Sequence, residues 1–185
     1  MKVLITGGAG YIGSLLTGVL LQRGYSVVVI DDLLFGGDSL LAYLTHPQFE
    51  FHKANVTDKE AIRPFFKDVE HVIHLAALVG FPACQAVGPQ VAWLYNLQGT
   101  KNVYELAREN KVKRFVFSST YSNYGIAEGD APVTEESPPI PNHCMPRQRL
   151  LRNFISWKKG ESQRPFLSSF VSRPFLVFPP AHDSI

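Results

Sequence analysis

Met1-Lys-Val-Leu-Ile-Thr-Gly-Gly-Ala-Gly-Tyr-Ile-Gly13 is the stretch that decides how the rest of the chain is read. Val3, Leu4 and Ile5 form a short apolar run, the mark of a strand buried on both faces. Gly7, Gly8, Gly10 and Gly13 follow. An amphipathic pattern then begins, with Leu15, Leu16, Val19, Leu20 and Leu21, and stops at Arg23-Gly24. The order is strand, glycine turn, helix. The spacing from Gly8 to Gly13 fits G-x-G-x-x-G in the context that this motif requires. Glycines let a backbone approach a pyrophosphate, and a helix N-terminus offers it free N–H groups and partial positive charge.

Ser26-Val-Val-Val-Ile30 reads as a second buried strand and ends in Asp31-Asp32. This lies about twenty residues past the glycines, where a carboxylate accepts hydrogen bonds from an adenine ribose and repels a 2′-phosphate. The expected cofactor is therefore NAD rather than NADP. The competing role for Asp31 is to cap the next turn, and Asp32 can take either job.

At 185 residues the chain supports one domain with a substantial core. With 45% hydrophobic and 18% charged residues it has the composition of an ordinary soluble protein. It holds no run of eighteen apolar residues, so no membrane partner is expected. The glycine-broken start is not a signal peptide, and the cytoplasm is the default location. The two cysteines, Cys84 and Cys144, lie far apart and frame neither a disulfide scaffold nor a metal site. His71 and His74 fall on a strand pattern, where a spacing of three puts them on opposite faces, so no metal is expected there.

The net charge of +2 is unevenly spread. Residues 1–142 carry 11 Lys+Arg against 14 Asp+Glu, and residues 143–185 carry 7 against 2. A basic tail raises the question of nucleic acid. It has only its charge behind that reading and no known motif, so no nucleic-acid partner is expected.

Strand and helix patterns continue to alternate. Glu50–Lys53 reads as a third strand, and Thr57 or Asp58 can cap a helix at Lys59–Lys67. His71-Val-Ile-His-Leu-Ala-Ala-Leu78 reads as a fourth strand and residues 80–88 as a loop. Pro89 opens a helix that runs to about Asn110, and Phe115–Ser119 forms a fifth strand. The fold class is α/β: a Rossmann-like, doubly wound parallel sheet. Its carboxyl edge gathers the glycine loop, Asp31, Ala76-Ala77 and Ser118–Thr120. From Pro138 onward the pattern fails. Val171 and Phe175–Phe178 are apolar enough for a strand, but no turn chemistry frames them. The expected organisation is a dinucleotide-binding domain over residues 1–140 and an aberrant tail over 141–185. The tail is expected to lack a sixth strand, leaving the sheet incomplete on its C-terminal side.

Six stretches together resemble the extended short-chain dehydrogenase/reductase family, specifically its nucleotide-sugar epimerases and dehydratases. They are Thr6–Gly13, Asp31-Asp32-Leu33, His74-Leu-Ala-Ala77, Asn96-Leu-Gln-Gly-Thr100, Phe117–Thr120 with Tyr124-Gly125, and Thr134–Pro138. The resemblance implies that Gly7, Gly10, Tyr11, Ile12 and Gly13 hold the pyrophosphate of NAD, and Asp31, with Asp32, the ribose. It sets Asn55 and Val56 beside the adenine, although the family usually has Asp where this chain has Asn55. It puts Ala76 and Ala77 at the nicotinamide-side ribose, counts Leu75 and Ser118 among the cofactor-binding residues, and makes Asn96 a buried polar group that orders the site. Thr120 matches the catalytic Ser/Thr, whose hydroxyl donates to the substrate oxygen. The partner implied is a nucleotide sugar, the chemistry is isomerase and oxidoreductase work, and a homodimer is allowed. Phe81 departs from the pattern of one branch.

The family also uses a tyrosine with a lysine four residues later, whose charge lowers the phenol's pKa so that phenolate acts as base. That pair is absent. Positions 144 to 149 read Cys-Met-Pro-Arg-Gln-Arg, and Tyr121 and Tyr124 have no lysine four residues on. The family's substrate-binding C-terminal portion is expected to be missing as well. One explanation covers the lost pair, the prolines and the charge shift: a change of reading frame near Pro141. Permitted codons for Cys144 to Asn153, read from the third base, give Tyr-Ala-Glu-Thr-Lys-Ala-Ala-Ala-Glu. The same shift over Phe170 to Ser184 permits Arg-Leu-Ala-Thr-Val-Phe-Gly-Phe-Pro-Pro-Arg-Thr-Arg-Phe-Asp, similar to the family's next strand and loop. The chain itself is then expected to be inactive. The alternative is a non-catalytic NAD-binding module or sensor.

Overall fold

The computed structural model describes residues 1–79, 81–118 and 175–178. The valine- and isoleucine-rich runs form β1 (Lys2–Thr6) and β2 (Ser26–Asp31), with β3 (Phe49–Lys53), β4 (His71–His74) and β5 (Arg114–Ser118) beside them. These five strands are parallel and stand in the order β3-β2-β1-β4-β5. The chain winds outward from β1 in one direction and then, from β4, in the other. The reversal opens a crevice above the carboxyl ends of β1 and β4, where such sheets take their ligands.

Both faces of the sheet are covered, and the side-chain alternation of the strands says by what. Val3, Ile5, Val27 and Val29 are buried with Leu21 of helix α1 (Tyr11–Gln22), and with Leu40 of the 3₁₀ turn Asp38–Tyr43. Leu4, Val28, Ile30, Val72, Phe115 and Phe117 face the other way, against Val103, Leu106 and Ala107 of α5 (Thr100–Glu109). His71 and His74 lie on opposite faces, as their spacing predicts. His74 is buried beside Phe115 and Phe117, and the His71 ring is partly exposed.

Three details differ from the sequence reading. The helix expected at Lys59–Lys67 is a short α2 (Lys59–Ile62) that tightens into a 3₁₀ turn at Arg63–Phe66. Pro64 lacks the N–H that would continue it. Asp58 supplies the cap: its Oδ1 accepts the Ala61 N–H at 3.0 Å. The expected loop 80–88 contains α3 (Phe81–Val87), ended by Gly88 at φ +83°. Cys84 of α3 is buried with Leu78 and Ala92, an apolar contact that flanking glycines do not announce.

The third difference concerns the tail. The expectation of no sixth strand is overturned: β6 (Phe175–Phe178) pairs with β5, and the pairing is antiparallel. Phe115 stands opposite Phe178 and Ser118 opposite Phe175. An open strand edge offers unpaired N–H and C=O groups, and four apolar residues of high strand propensity satisfy it. The 140/141 boundary, Thr120, Tyr121, Tyr124, Gly125, Thr134–Pro138 and residues 144–157 lie outside the described residues.

Candidate functional site

The crevice is a cavity of about 460 Å³, and two dissimilar walls build it. The first wall is backbone. Gly7 ends β1 at φ +74°, a conformation open to glycine and strained for other residues. A Cβ on Gly7 would sit 2.6 Å from the Ala76 nitrogen, so this wall touches the opposite one directly. Gly10 is the N-cap of α1, with no side chain bonded across the helix start and no acidic residue in the first turn. The first N–H groups of α1 therefore have neither an intrahelical acceptor nor a side-chain stand-in. A Cβ on Gly13 would collide with the Gly7 carbonyl, so glycine there lets α1 lie against the turn. Tyr11 and Ile12 line the mouth and are exposed.

At the end of β2, both carboxylate oxygens of Asp31 are engaged. Oδ2 accepts the Ala9 N–H at 3.0 Å and Oδ1 accepts the Leu33 N–H at 2.9 Å. Asp31 thus caps the next turn, which carries Leu33 at φ +61°, and also lines the cavity. The cap bonds leave each oxygen a second lone pair. Burial pushes the Asp31 carboxyl up from its ordinary value, the Leu33 and Ala9 N–H groups pull it back, and neighbouring Asp32 adds to the rise. Asp32 accepts from the Leu34 N–H at 3.2 Å and from Asn55 Nδ2 at 3.3 Å. Asn55 Nδ2 donates also to the Tyr95 hydroxyl at 2.7 Å, and its Oδ1 accepts the Thr57 N–H at 2.9 Å. Val56 is buried and lines the cavity beside Asn55.

The second wall is the segment 75–79 after β4, with Ser118 at the end of β5. Leu75, Ala76 and Ala77 line the cavity. Leu78 is clamped by one side chain: Asn96 Oδ1 accepts its N–H at 2.8 Å, and Asn96 Nδ2 donates to its carbonyl at 2.9 Å. Asn96 is only 2% exposed and orders the wall from behind. It sits in a π-helical segment, Leu94–Gly99, between α4 (Pro89–Trp93) and α5. Such insertions re-aim side chains and recur at functional sites.

The sequence-predicted residues from Gly7 to Ser118 thus converge on one cavity, except that Asn96 supports the wall. Thr120 lies outside the described residues. Sequence reasoning missed Tyr95, Leu34 and Phe35, which also line the cavity. Phe35 stands before Gly36 at φ +91°, and that glycine pair was the available signal. Tyr95 meets Asn55 across 40 positions, and no spacing rule reaches that far. Among the described residues no group of three or more His, Cys, Asp or Glu is placed to hold a metal ion. No helix among them is long and apolar enough to cross a membrane.

A bare helix N-terminus, a glycine turn without Cβ atoms and a carboxylate with free lone pairs fit the pyrophosphate and ribose of a dinucleotide. Comparison with known proteins agrees. Residues 3–151 match the model of the NAD dependent epimerase/dehydratase family. The chain is 38% identical over 148 residues to UDP-glucose 4-epimerase of Bacillus subtilis, covering 75% of this chain and 42% of that protein. It is 37% identical over 152 residues to the bifunctional protein GAL10 of Pachysolen tannophilus, covering 77% and 21%. The crystal structure of Thermus thermophilus UDP-glucose 4-epimerase in complex with NAD superposes with a TM-score of 0.74 at 29% identity, covering 86% of this chain and 51% of that one. The chain spans less than half the length of these two curated relatives.

Proposed function

The chain belongs to the NAD-dependent epimerase/dehydratase family, and on that premise we propose that its cavity holds NAD as the cofactor-binding portion of a nucleotide-sugar epimerase or dehydratase. The observation that carries this reading is that the uncapped start of α1 and the Asp31 carboxylate, joined through the Ala9 N–H, line one cavity. In the proposed arrangement the first N–H groups of α1 bind the pyrophosphate. Asp31, with Asp32, accepts from the adenine ribose, Asn55 and Val56 flank the adenine, and Leu75–Ala77 with Ser118 border the nicotinamide ribose. Asn96 keeps that border in place. NAD, when bound, supplies the hydride acceptor for oxidation at a sugar carbon. Thr120 is assigned on the resemblance as the hydroxyl that donates to the substrate oxygen.

The chain as written is proposed to be inactive, because no tyrosine–lysine pair stands where the base belongs. Removing a general base costs about 10²–10⁴ in rate. Residues 141–185 are proposed to be out of frame. Strand β6 pairs in the frame as written, so the sheet edge is no ground for this; the recovered tyrosine and lysine are.

Two measurements test the reading. Saturating NAD should raise the melting temperature, and a panel of UDP-, GDP- and dTDP-sugars should give no turnover. Absence of a shift contradicts the cofactor assignment; clear turnover means that another residue supplies the base, with Tyr121 and Tyr124 first to be replaced. Sequencing the encoding DNA decides the frame: bases that give no Tyr-x-x-x-Lys in the shifted frame overturn it.

A further inference from the structure

His74 is buried, titratable and not used by the assigned chemistry, and it sits in a directional chain of hydrogen bonds. Thr100 Oγ1 donates to the Asn96 carbonyl at 2.8 Å. Its lone pair then receives His74 Nε2–H, also at 2.8 Å. Assigned as the neutral Nε2–H tautomer, the ring leaves Nδ1 as an acceptor facing Thr6 Oγ1 at 2.6 Å. The Thr6 hydroxyl donates to Nδ1, and its own lone pair is turned toward the Ala76 N–H at 3.5 Å. This one assignment gives every group in the chain a partner. Thr6, His74 and Thr100 are each at most 2% exposed.

The chain of bonds links five parts of the fold: the end of β1, the end of β4, the start of α5, the π-helical segment and the cavity wall. At one end it meets Ala76. At the other it meets the backbone of Asn96, whose side chain clamps Leu78. The segment between these anchors is the second wall of the cavity. Resting on the NAD reading, we propose that His74 is a positioning residue: its fixed neutral tautomer holds segment 75–79 at the distance from the glycine turn that the nicotinamide half of the cofactor needs. The adenosine half rests on the other wall and does not depend on it.

The experiment compares the full chain with His74→Leu, His74→Gln and Thr100→Val, with Val72→Ala as a control for lost packing on the same strand. Hydrogen exchange is measured over Leu75–Leu78 without cofactor, and NAD and AMP are titrated separately. His74→Leu should speed exchange in that segment about tenfold relative to the rest of the sheet, the ratio one unsatisfied buried group gives. It should weaken NAD several-fold and leave AMP within about twofold. His74→Gln, whose amide spans a similar donor–acceptor distance, should recover part of both effects, and Thr100→Val should add little on top of His74→Leu. Val72→Ala should lower the melting temperature without changing the NAD-to-AMP ratio. Unchanged exchange over 75–78 in His74→Leu, or equal weakening of NAD and AMP, overturns the proposal. An unmutated chain that binds neither ligand contradicts the NAD reading instead, and the exchange result still decides the role of His74. If His74→Leu does not fold, Thr100→Val and His74→Gln carry the same comparison.

Discussion

The two walls of the cavity are made of different material. The first, from β1 through α1 to Asp31, is built of main chain: N–H groups of a helix start, glycines without Cβ atoms and one carboxylate capping a turn. The second, segment 75–79, is plain backbone held in place by buried side chains that reach it from elsewhere, chiefly Asn96 and the Thr6–His74–Thr100 relay. A main-chain wall is fixed by local conformation. A propped wall is only as firm as its props. Substitutions in the first wall should therefore damage the fold and the site together, while substitutions in the second should separate them.

The largest effect is expected at Gly7. Gly7→Ala places a side chain at φ +74° and a Cβ 2.6 Å from the Ala76 nitrogen. Backbone strain alone costs about 1–3 kcal/mol, and overpacking adds about 1–3 kcal/mol. Denaturant unfolding should show the loss, and NAD titration should show no saturable binding. A variant of normal stability would mean that the two walls do not touch as described.

Asn96→Ala comes next. It strips both partners from the Leu78 peptide groups, each loss costing about 1–3 kcal/mol where nothing replaces it. Cys84 Sγ, 3.7 Å from the Leu78 carbonyl, offsets little of this. NAD affinity should fall by at least tenfold while AMP affinity holds, measured by parallel calorimetric titrations. Equal losses for both ligands would erase the distinction between the walls.

A smaller effect follows from acid. In the proposed arrangement the ionised Asp31 carboxylate accepts from the ribose, and burial raises its pKa. NAD affinity should be full above that raised pKa and fall as pH drops through it, beginning above the ordinary aspartate range. The same shift makes the ionised group unfavourable to the fold, so its cost to stability is relieved over the same window as pH falls. Asp31→Asn should remove this pH dependence of NAD binding.

The smallest effect belongs to the surface. Lys59 pairs with Glu105 at 2.8 Å and Glu109 at 2.9 Å, which raises its pKa; both glutamate side chains are exposed and the lysine is partly so. Such pairs contribute little. Lys59→Ala should leave NAD affinity within about twofold and move the melting temperature only slightly.

The same contrast explains what could be read in advance. Alternating runs of valine and isoleucine with glycine spacing announced β1, α1, β2 and Asp31, because main-chain walls are written locally. The five parallel strands followed from strand–helix alternation. The props of the second wall join residues 68, 26 and 18 positions apart, and no periodicity encodes them. Asn96 was found through family resemblance; Tyr95 was found by neither route. Helix α3 was hidden because Gly80 and Gly88 mark a loop as readily as they bracket a short helix. The apolar run of β6 was visible, but without framing turns it was not expected to form a strand. Its antiparallel partner was not visible, because pairing with an open edge depends on where the chain returns and on no local signal.

The central claim is that this cavity binds NAD and that Asp31 selects it. The most direct test is equilibrium titration of the unmutated chain with NAD and with NADP, repeated on Asp31→Ala. Saturable NAD binding at least tenfold tighter than NADP, with the preference lost in Asp31→Ala, is the predicted result. Equal or tighter NADP binding by the unmutated chain, or no binding of either, would contradict it.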